Sequence, residues 1–110
     1  MAYIEGMVFI GTFVFTKGIK SLLPDEDYRQ LQTALMLRPE MGELIQRSGG
    51  LRKVRWNLPG EGKRGGLRVI YYWDRPETIY LSLAYKKSAQ EDLTNEQRVV
   101  LRRLVKEWLQ

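Results

Sequence analysis

The stretch RKVRWNLPGEGKRGGLRVIYYW (residues 52–73) decides the fold, because it contains two strand patterns and the turn that joins them. Residues 51–56 alternate, with Arg52, Val54 and Trp56 on one face and the intervening side chains on the other. Residues 67–73 are β-branched and aromatic, and four glycines lie between the two runs. Period-two alternation around a glycine-rich turn predicts a β-hairpin.

A third strand follows this hairpin closely. Residues 78–87, TIYLSLAYKK, continue the β-rich pattern after a turn near Pro76. Three strands without an intervening helix predict an antiparallel meander. Residues 78–85 carry apolar groups on both faces, which places this strand at the centre of the predicted sheet.

The residues before the hairpin predict a strand and two helices. Residues 7–15, MVFIGTFVF, are a β-rich apolar run. Apolar residues at helical spacing follow, and then Pro24 and three acidic residues open a second helix that ends before Pro39. The two helices are expected to form an αα-hairpin.

A last helix is predicted at the C-terminus. Thr94 and Gln97 have the spacing of a capping box, and an apolar stripe follows, formed by Val100, Leu101, Leu104, Val105 and Trp108. The element order β, α, α, β, β, β, α predicts an α+β fold. Its small antiparallel sheet would carry the N-terminal αα-hairpin on one face, with a C-terminal helix in addition.

Composition narrows the chemistry. The length of 110 residues predicts a single domain, residues 1–110. The chain has no cysteine and no histidine, so catalysis would rely on Lys, Arg, Tyr, Asp or Glu, and we expect neither a metal nor a small-molecule cofactor. The apolar run 7–15 is shorter than the about 20 residues of a membrane span and lacks the features of a signal peptide. We therefore expect a cytoplasmic protein with no membrane contact.

Positive charge is concentrated in the middle of the chain. Residues 47–87 contain 10 basic and 3 acidic side chains, whereas residues 1–46 contain 4 and 6. A concentrated positive field favours polyanions, above all nucleic acid. A solvated basic surface is the alternative interpretation.

The glycine-rich turn is not a nucleotide-binding loop. Gly60, Gly62 and Gly65 match G-x-G-x-x-G, but that motif requires a following helix, and here a strand follows. Lys63 precedes Arg64 rather than Ser or Thr, so the turn is not a P-loop either. The remaining interpretations are a plain hairpin tip and a flexible cationic finger that binds a phosphate backbone.

Basic and aromatic side chains are expected to converge near the hairpin stems. Lys53 and Arg55 share one predicted face, and Arg68 lies within cross-strand reach of them. Further side chains expected at this patch are Tyr72, Tyr85, Lys86 and Lys87. Arg52 and Trp56 should face the other way, which makes them weaker RNA-binding candidates, and for Trp56 a core position is favoured.

Such a patch can bind RNA or cleave it. Cleavage by the 2′-OH requires a base, stabilisation of the phosphorane and protonation of the 5′ oxygen. A lysine crowded by other cations has a lowered pKa and suits the base, while a neighbouring arginine stabilises the developing charge. The same cations also occur in RNA-binding domains without catalysis.

Three motifs together resemble the RelE-type toxins of bacterial toxin–antitoxin pairs, and within them the HigB-like branch. They are GGLRKVRW (49–56), GKRGGLRVIYYW (62–73) and IYLSLAYKKS (79–88), followed by DLT (92–94). The resemblance extends over about residues 15–108. It implies a RelE-like fold, a metal-independent mRNA endonuclease that acts in the ribosomal A site and inhibits translation, and a cognate HigA-like antitoxin.

The resemblance also implies site residues. The catalytic basic pair falls on Lys53 and Arg55, the phosphate-stabilising arginine on Arg68, and the basic residue after the last strand on Lys87. Lys63 and Arg64 fall in a finger expected to touch mRNA or ribosomal RNA. RelE itself uses a tyrosine near its C-terminus. Asp92 and Leu93 occupy that neighbourhood here, so Tyr85 becomes the substitute candidate.

Two other functions stay open at this point. A toxin of the related ParE type has the same fold but inhibits DNA gyrase, and a non-catalytic RNA-binding module would bind RNA in a salt-sensitive manner without cutting it.

Overall fold

A computed structural model of the chain describes residues 2–4, by their backbone, together with residues 6–58, 60 and 66–109. The helices are α1 (Phe13–Leu22), α2 (Asp25–Leu37) and α3 (Asn95–Trp108). The strands are β1 (Ala2–Ile4), β2 (Met7–Gly11), β3 (Glu43–Leu44), β4 (Leu51–Trp56), β5 (Leu67–Asp74) and β6 (Thr78–Lys86).

The strands form one sheet in the order β1-β2-β6-β5-β4-β3. The meander β4–β5–β6 is antiparallel, and β6 lies inside the sheet, so both predictions are confirmed. The sheet as a whole is mixed, because β2 pairs in parallel with β6. The prediction of an all-antiparallel sheet is therefore wrong. It failed because β2 pairs with a strand about 70 residues away, and neither that partner nor its direction is encoded in an apolar run.

The strand predicted at residues 7–15 corresponds to β2 and is shorter than expected. It ends at Gly11, and Thr12 then caps α1 by accepting a hydrogen bond from the Phe15 backbone N–H at 3.0 Å. Phe13 and Val14 consequently belong to a helix and are 80% and 62% exposed. The cap overrides the β propensity of the aromatic and β-branched residues that follow it.

The second helix begins and ends as predicted. It follows Pro24 with three acidic residues in its first turn, and it ends two residues before Pro39. Leu31 and Leu35 are fully buried. The rings of Phe15 and Tyr28 connect α1 with α2 at a centroid distance of 6.1 Å. The αα-hairpin expected for this pair stays a prediction.

Two apolar clusters lie on opposite faces of the sheet, since alternate residues of a strand point to opposite sides. One joins Leu67, Val69 and Tyr71 of β5 with buried residues of α1 and α2. The other joins Ile70 with Leu101 and Val105 of α3. The predicted capping box is present, because Thr94 and Gln97 bond each other's backbone N–H groups at 3.1 and 3.0 Å.

Candidate functional site

Three predicted site residues form one row across the sheet. In the strand register, Arg55 of β4 lies directly opposite Arg68 of β5, and Arg68 lies opposite Tyr85 of β6. Lys53 begins the next row on the same face, opposite Ile70. This is the face on which α3 packs, since Ile70, Tyr85 and Leu101 share one cluster.

A β-bulge at Ser82 brings Tyr85 to this face. Ile70 pairs with Leu83 and Tyr71 pairs with Leu81, so Ser82 is an extra residue in β6. Its hydroxyl donates to the Ile70 carbonyl at 2.9 Å. If β6 instead continued its regular alternation through Ser82, Tyr85 would lie on the opposite face from Arg68. The sequence of β6 carries no recognisable signal of this bulge.

Arg68 is a buried cation, and no described residue is its counter-ion. It is 4% exposed, and its guanidinium donates only a long bond, 3.4 Å, to the Leu67 carbonyl. Among the described residues it forms no ion pair, and the residue opposite it on β4 is Arg55, another cation. Like charges directly opposite each other are destabilising, and burying an unpaired charge costs several kcal/mol. The arrangement is unfavourable unless an anion binds there.

Tyr85 beside it is buried and carries a free hydroxyl. The residue is 6% exposed, and its phenol oxygen has no hydrogen-bond partner among the described residues. Burial raises the pKa of Tyr85 above its ordinary value. The Asp92 carboxylate raises it further, and the charges of Arg68 and Arg98 oppose the shift. The phenol is therefore neutral at physiological pH and able to donate a hydrogen bond or a proton.

Lys53 has acidic neighbours as well as basic ones. Its ammonium lies 3.6 Å from the Asp92 carboxylate, and Glu43 is its cross-strand partner on β3. A surface cleft of about 220 Å³ runs here, lined by Met41, Glu43, Lys53, Val54 and Arg55. Lys53 therefore has an acidic neighbour in addition to the cations expected from the sequence, because the connection between β6 and α3 places Asp92 at this edge of the site.

The basic residues at the end of β6 differ in position. Lys87 is exposed, and its backbone N–H donates to the Gly66 carbonyl at 3.0 Å, next to the start of β5. It therefore lies at the same end of the sheet as Arg68. Lys86 is half-buried and pairs with Leu67, one position out of phase with Tyr85.

Three predicted RNA-binding residues lie away from the row. Arg52 is on the other face, where its guanidinium donates to the carbonyls of Glu40 and Gly42 at 3.0 and 2.8 Å. Trp56 packs against the cluster on that face, as favoured from the sequence. Tyr72 shares the face of Arg68 but lies four residues along β5, about 13 Å away, opposite Tyr80. On β4 it lies opposite Leu51, two residues from Lys53, and its expected place beside the patch stays a prediction.

Arg98 was missed by the sequence reasoning. This half-buried residue of α3 has an Nε atom that is fully buried and has no partner among the described residues. It lies one turn before Leu101, so extending the apolar stripe backwards by three residues would have found it.

The two basic residues predicted at the hairpin tip, Lys63 and Arg64, fall outside the described residues. In the part of the chain that is described, no three acidic side chains come close enough to share a metal ion. None of the described helices is long and apolar enough to cross a bilayer.

The sequence pattern of one known family matches almost the whole chain. That family is described as "RelE toxin of RelE / RelB toxin-antitoxin system", and the match covers residues 14–110. It includes the complete row of Arg55, Arg68 and Tyr85, as well as α3. The chain belongs to the RelE toxin family of toxin–antitoxin systems.

Proposed function

We propose that this toxin is a ribosome-dependent mRNA endonuclease of the HigB-like branch, that it acts in the cytoplasm by inhibiting translation, and that a HigA-like antitoxin neutralises it. The observation that carries the proposal is the buried Arg68 between Arg55 and Tyr85, which has no ion-pair partner among the described residues. An RNA phosphate supplies the negative charge that this row lacks. The family membership supports the toxin role and an antitoxin partner.

Each residue of the row has a role that fits its environment. Arg68 holds the scissile phosphate and stabilises the charge that accumulates on the phosphorane. Tyr85, with its neutral phenol, donates a proton or hydrogen bond to the departing 5′ oxygen. Arg55, which is exposed, binds the RNA backbone where it enters the row.

Lys53 is the proposed base for the 2′-OH. An ammonium group has no lone pair, so Lys53 must first separate from Asp92 and release a proton to solvent, and its neutral amine then takes the proton of the 2′-OH. Asp92 is 61% exposed in its side chain, so the carboxylate has room to turn away from Lys53. Lys87 would bind the adjoining phosphate, and Lys63 and Arg64 are proposed to contact mRNA or ribosomal RNA from the hairpin tip.

The test is a reconstituted translation reaction with a defined mRNA, followed by primer extension. Wild-type protein should produce cuts within translated codons and none on free mRNA. Arg68→Met, which keeps the volume but removes the charge, should reduce cutting on the order of 10²–10³-fold. Arg29→Met, on the exposed surface of α2, is the matched control and should cut normally.

The same reaction separates the competing functions. A ParE-like toxin would leave translation untouched and inhibit DNA supercoiling by gyrase. A non-catalytic RNA-binding module would bind the RNA with strong salt dependence and produce no cuts, even on translating ribosomes.

A further inference from the structure

Two buried hydrogen-bond donors close to Arg68 have no acceptor among the described residues. They are the hydroxyl of Tyr85 and the Nε–H of Arg98, and Arg68 itself donates only its long bond to the Leu67 carbonyl. In folded proteins about nine in ten buried polar groups have a partner. Two such donors, without a partner among the described residues and close to the buried guanidinium of Arg68, therefore indicate a missing ligand rather than a defect of packing.

Arg98 lies near Tyr85 on α3, whereas Arg68 lies beside Tyr85 in the sheet. It lies one turn before Leu101, which packs in the same cluster as Tyr85, and helical side chains three residues apart share a face. The positive charge of Arg98 also opposes the upward shift in the Tyr85 pKa, as expected of a close neighbour. Arg68 and Arg98 thus flank the phenol from β5 and from α3.

The nearby acid does not satisfy Arg98. Asp92 contacts Lys53 at 3.6 Å and accepts a bond from the Leu93 backbone N–H at 2.8 Å. Arg98 forms no ion pair among the described residues. Its backbone N–H bonds the Thr94 carbonyl in the first turn of α3, so the helix fixes its position while its side chain stays unsatisfied.

We propose that Arg98 is a second phosphate-binding arginine of this site, which holds one non-bridging oxygen of the RNA phosphate while Arg68 holds the other. The inference rests on the proposed function. A phosphate diester offers acceptors only and carries negative charge, so it matches a group of donors that lacks an acceptor. The extra charge of the phosphorane makes two flanking guanidinium groups more favourable in the transition state than in the ground state.

A purely structural role predicts a different outcome. If the stem of Arg98 served only to cover Leu101, an apolar side chain of similar length would replace it without loss of activity. If its head group were needed for folding, its removal would lower stability. A phosphate-binding role predicts lower activity at unchanged or higher stability, because an unpaired buried donor is removed.

The experiment compares Arg98→Met with Arg102→Met in the full chain. Arg102 is the same residue type one turn further along α3, but it is exposed. Arg98→Met should cut mRNA on translating ribosomes roughly 10–100-fold more slowly than Arg102→Met, the loss expected for one hydrogen bond to a charged group. Its unfolding midpoint should be equal to or above that of Arg102→Met, and Arg98→Lys should recover part of the rate.

A second measurement keeps this inference separate from the proposed function. Binding of a single-stranded RNA oligonucleotide is measured against salt for each variant, and Arg98→Met should reduce the slope of log K against log salt by about 0.7, one phosphate contact. A wild type that makes no cuts would refute the proposed function, while the slope would still decide on Arg98. An unchanged slope, cutting at the Arg102→Met rate, or a clearly lowered unfolding midpoint would overturn the inference.

Discussion

Replacing Tyr85 with phenylalanine should change stability and activity in opposite directions. The substitution removes one oxygen and leaves the ring in its cluster with Ile70 and Leu101. Because the hydroxyl is buried and has no partner in the part of the chain that the structure describes, its presence costs the folded state about 1–3 kcal/mol of desolvation. Its removal should therefore raise the free energy of unfolding by about 1 kcal/mol. For a chain of this size that corresponds to roughly 4–8 °C in the unfolding midpoint.

The same oxygen is the proposed proton donor to the 5′ leaving group. Loss of a well-placed general acid typically slows a reaction about 10²–10⁴-fold. Tyr85→Phe should therefore be more stable than wild type and cut translated mRNA at least 100-fold more slowly. Thermal unfolding followed by circular dichroism and primer extension on the same preparations measure both quantities.

Tyr80→Phe is the matched control on the same strand. Tyr80 stacks on Trp108 at a centroid distance of 4.5 Å, opposite Tyr72 and away from the row, so cutting should not change. If Tyr85→Phe destabilises the protein, the hydroxyl has a partner that this account lacks. If Tyr85→Phe cuts at the rate of Tyr80→Phe, the assignment of Tyr85 as proton donor is wrong.

Three further changes test other parts of the site. Arg68→Met should stabilise the fold by about 1–4 kcal/mol, since it replaces a buried charge that has no ion-pair partner among the described residues with an apolar side chain of similar volume. A lower free energy of unfolding than wild type, measured by chemical denaturation, would contradict this. Asp92→Asn should change stability by less than about 1 kcal/mol, because the pair with Lys53 is largely exposed on the Asp92 side. Cutting at pH 7 should become faster, because Lys53 no longer has to leave an ion pair before it acts as the base. A slower rate would show that the Asp92 carboxylate takes part in the reaction. Stability should fall as the pH rises above about 10, because burial raises the pKa of Tyr28, Tyr71 and Tyr85, so the folded state holds protons that the unfolded state has released. The contribution of these tyrosines to the free energy of unfolding is complete below the pKa of about 10 in the unfolded chain, and it is lost as the pH rises through their raised pKa values in the folded protein. Tyr71→Phe should show a shallower decline of the free energy of unfolding with pH. A decline identical to that of wild type would refute the role of Tyr71 in this pH dependence.

Local patterns predicted most of the elements. The alternation in residues 51–56, the capping box at Thr94 and the proline boundaries of α2 each depend on near neighbours in the chain, and all were confirmed. Errors arose where distant residues decide the outcome. The parallel pairing of β2 with β6 is one example, and the end of β2 at a capping threonine is another.

The sequence predicted the basic residues of β4 and β5, but it did not predict which side chains are buried beside them. Periodicity places Lys53, Arg55 and Arg68 on one face, but the position of Tyr85 depends on the bulge at Ser82, which no pattern in β6 announces. The contact between Lys53 and Asp92 joins residues 39 positions apart, and alternation within a strand has no information about it. Burial of Arg68 also depends on tertiary packing, and that burial is the strongest physical sign of an anion site.

The most direct test of the central claim is primer extension on an mRNA translated in the presence of wild-type protein and Arg68→Met. We expect cuts within codons for wild type, no cuts on untranslated mRNA, and a loss of at least 100-fold for Arg68→Met in a protein that is folded and at least as stable. Equal cutting by the two proteins would contradict the assignment of Arg68 as the residue that stabilises the scissile phosphate.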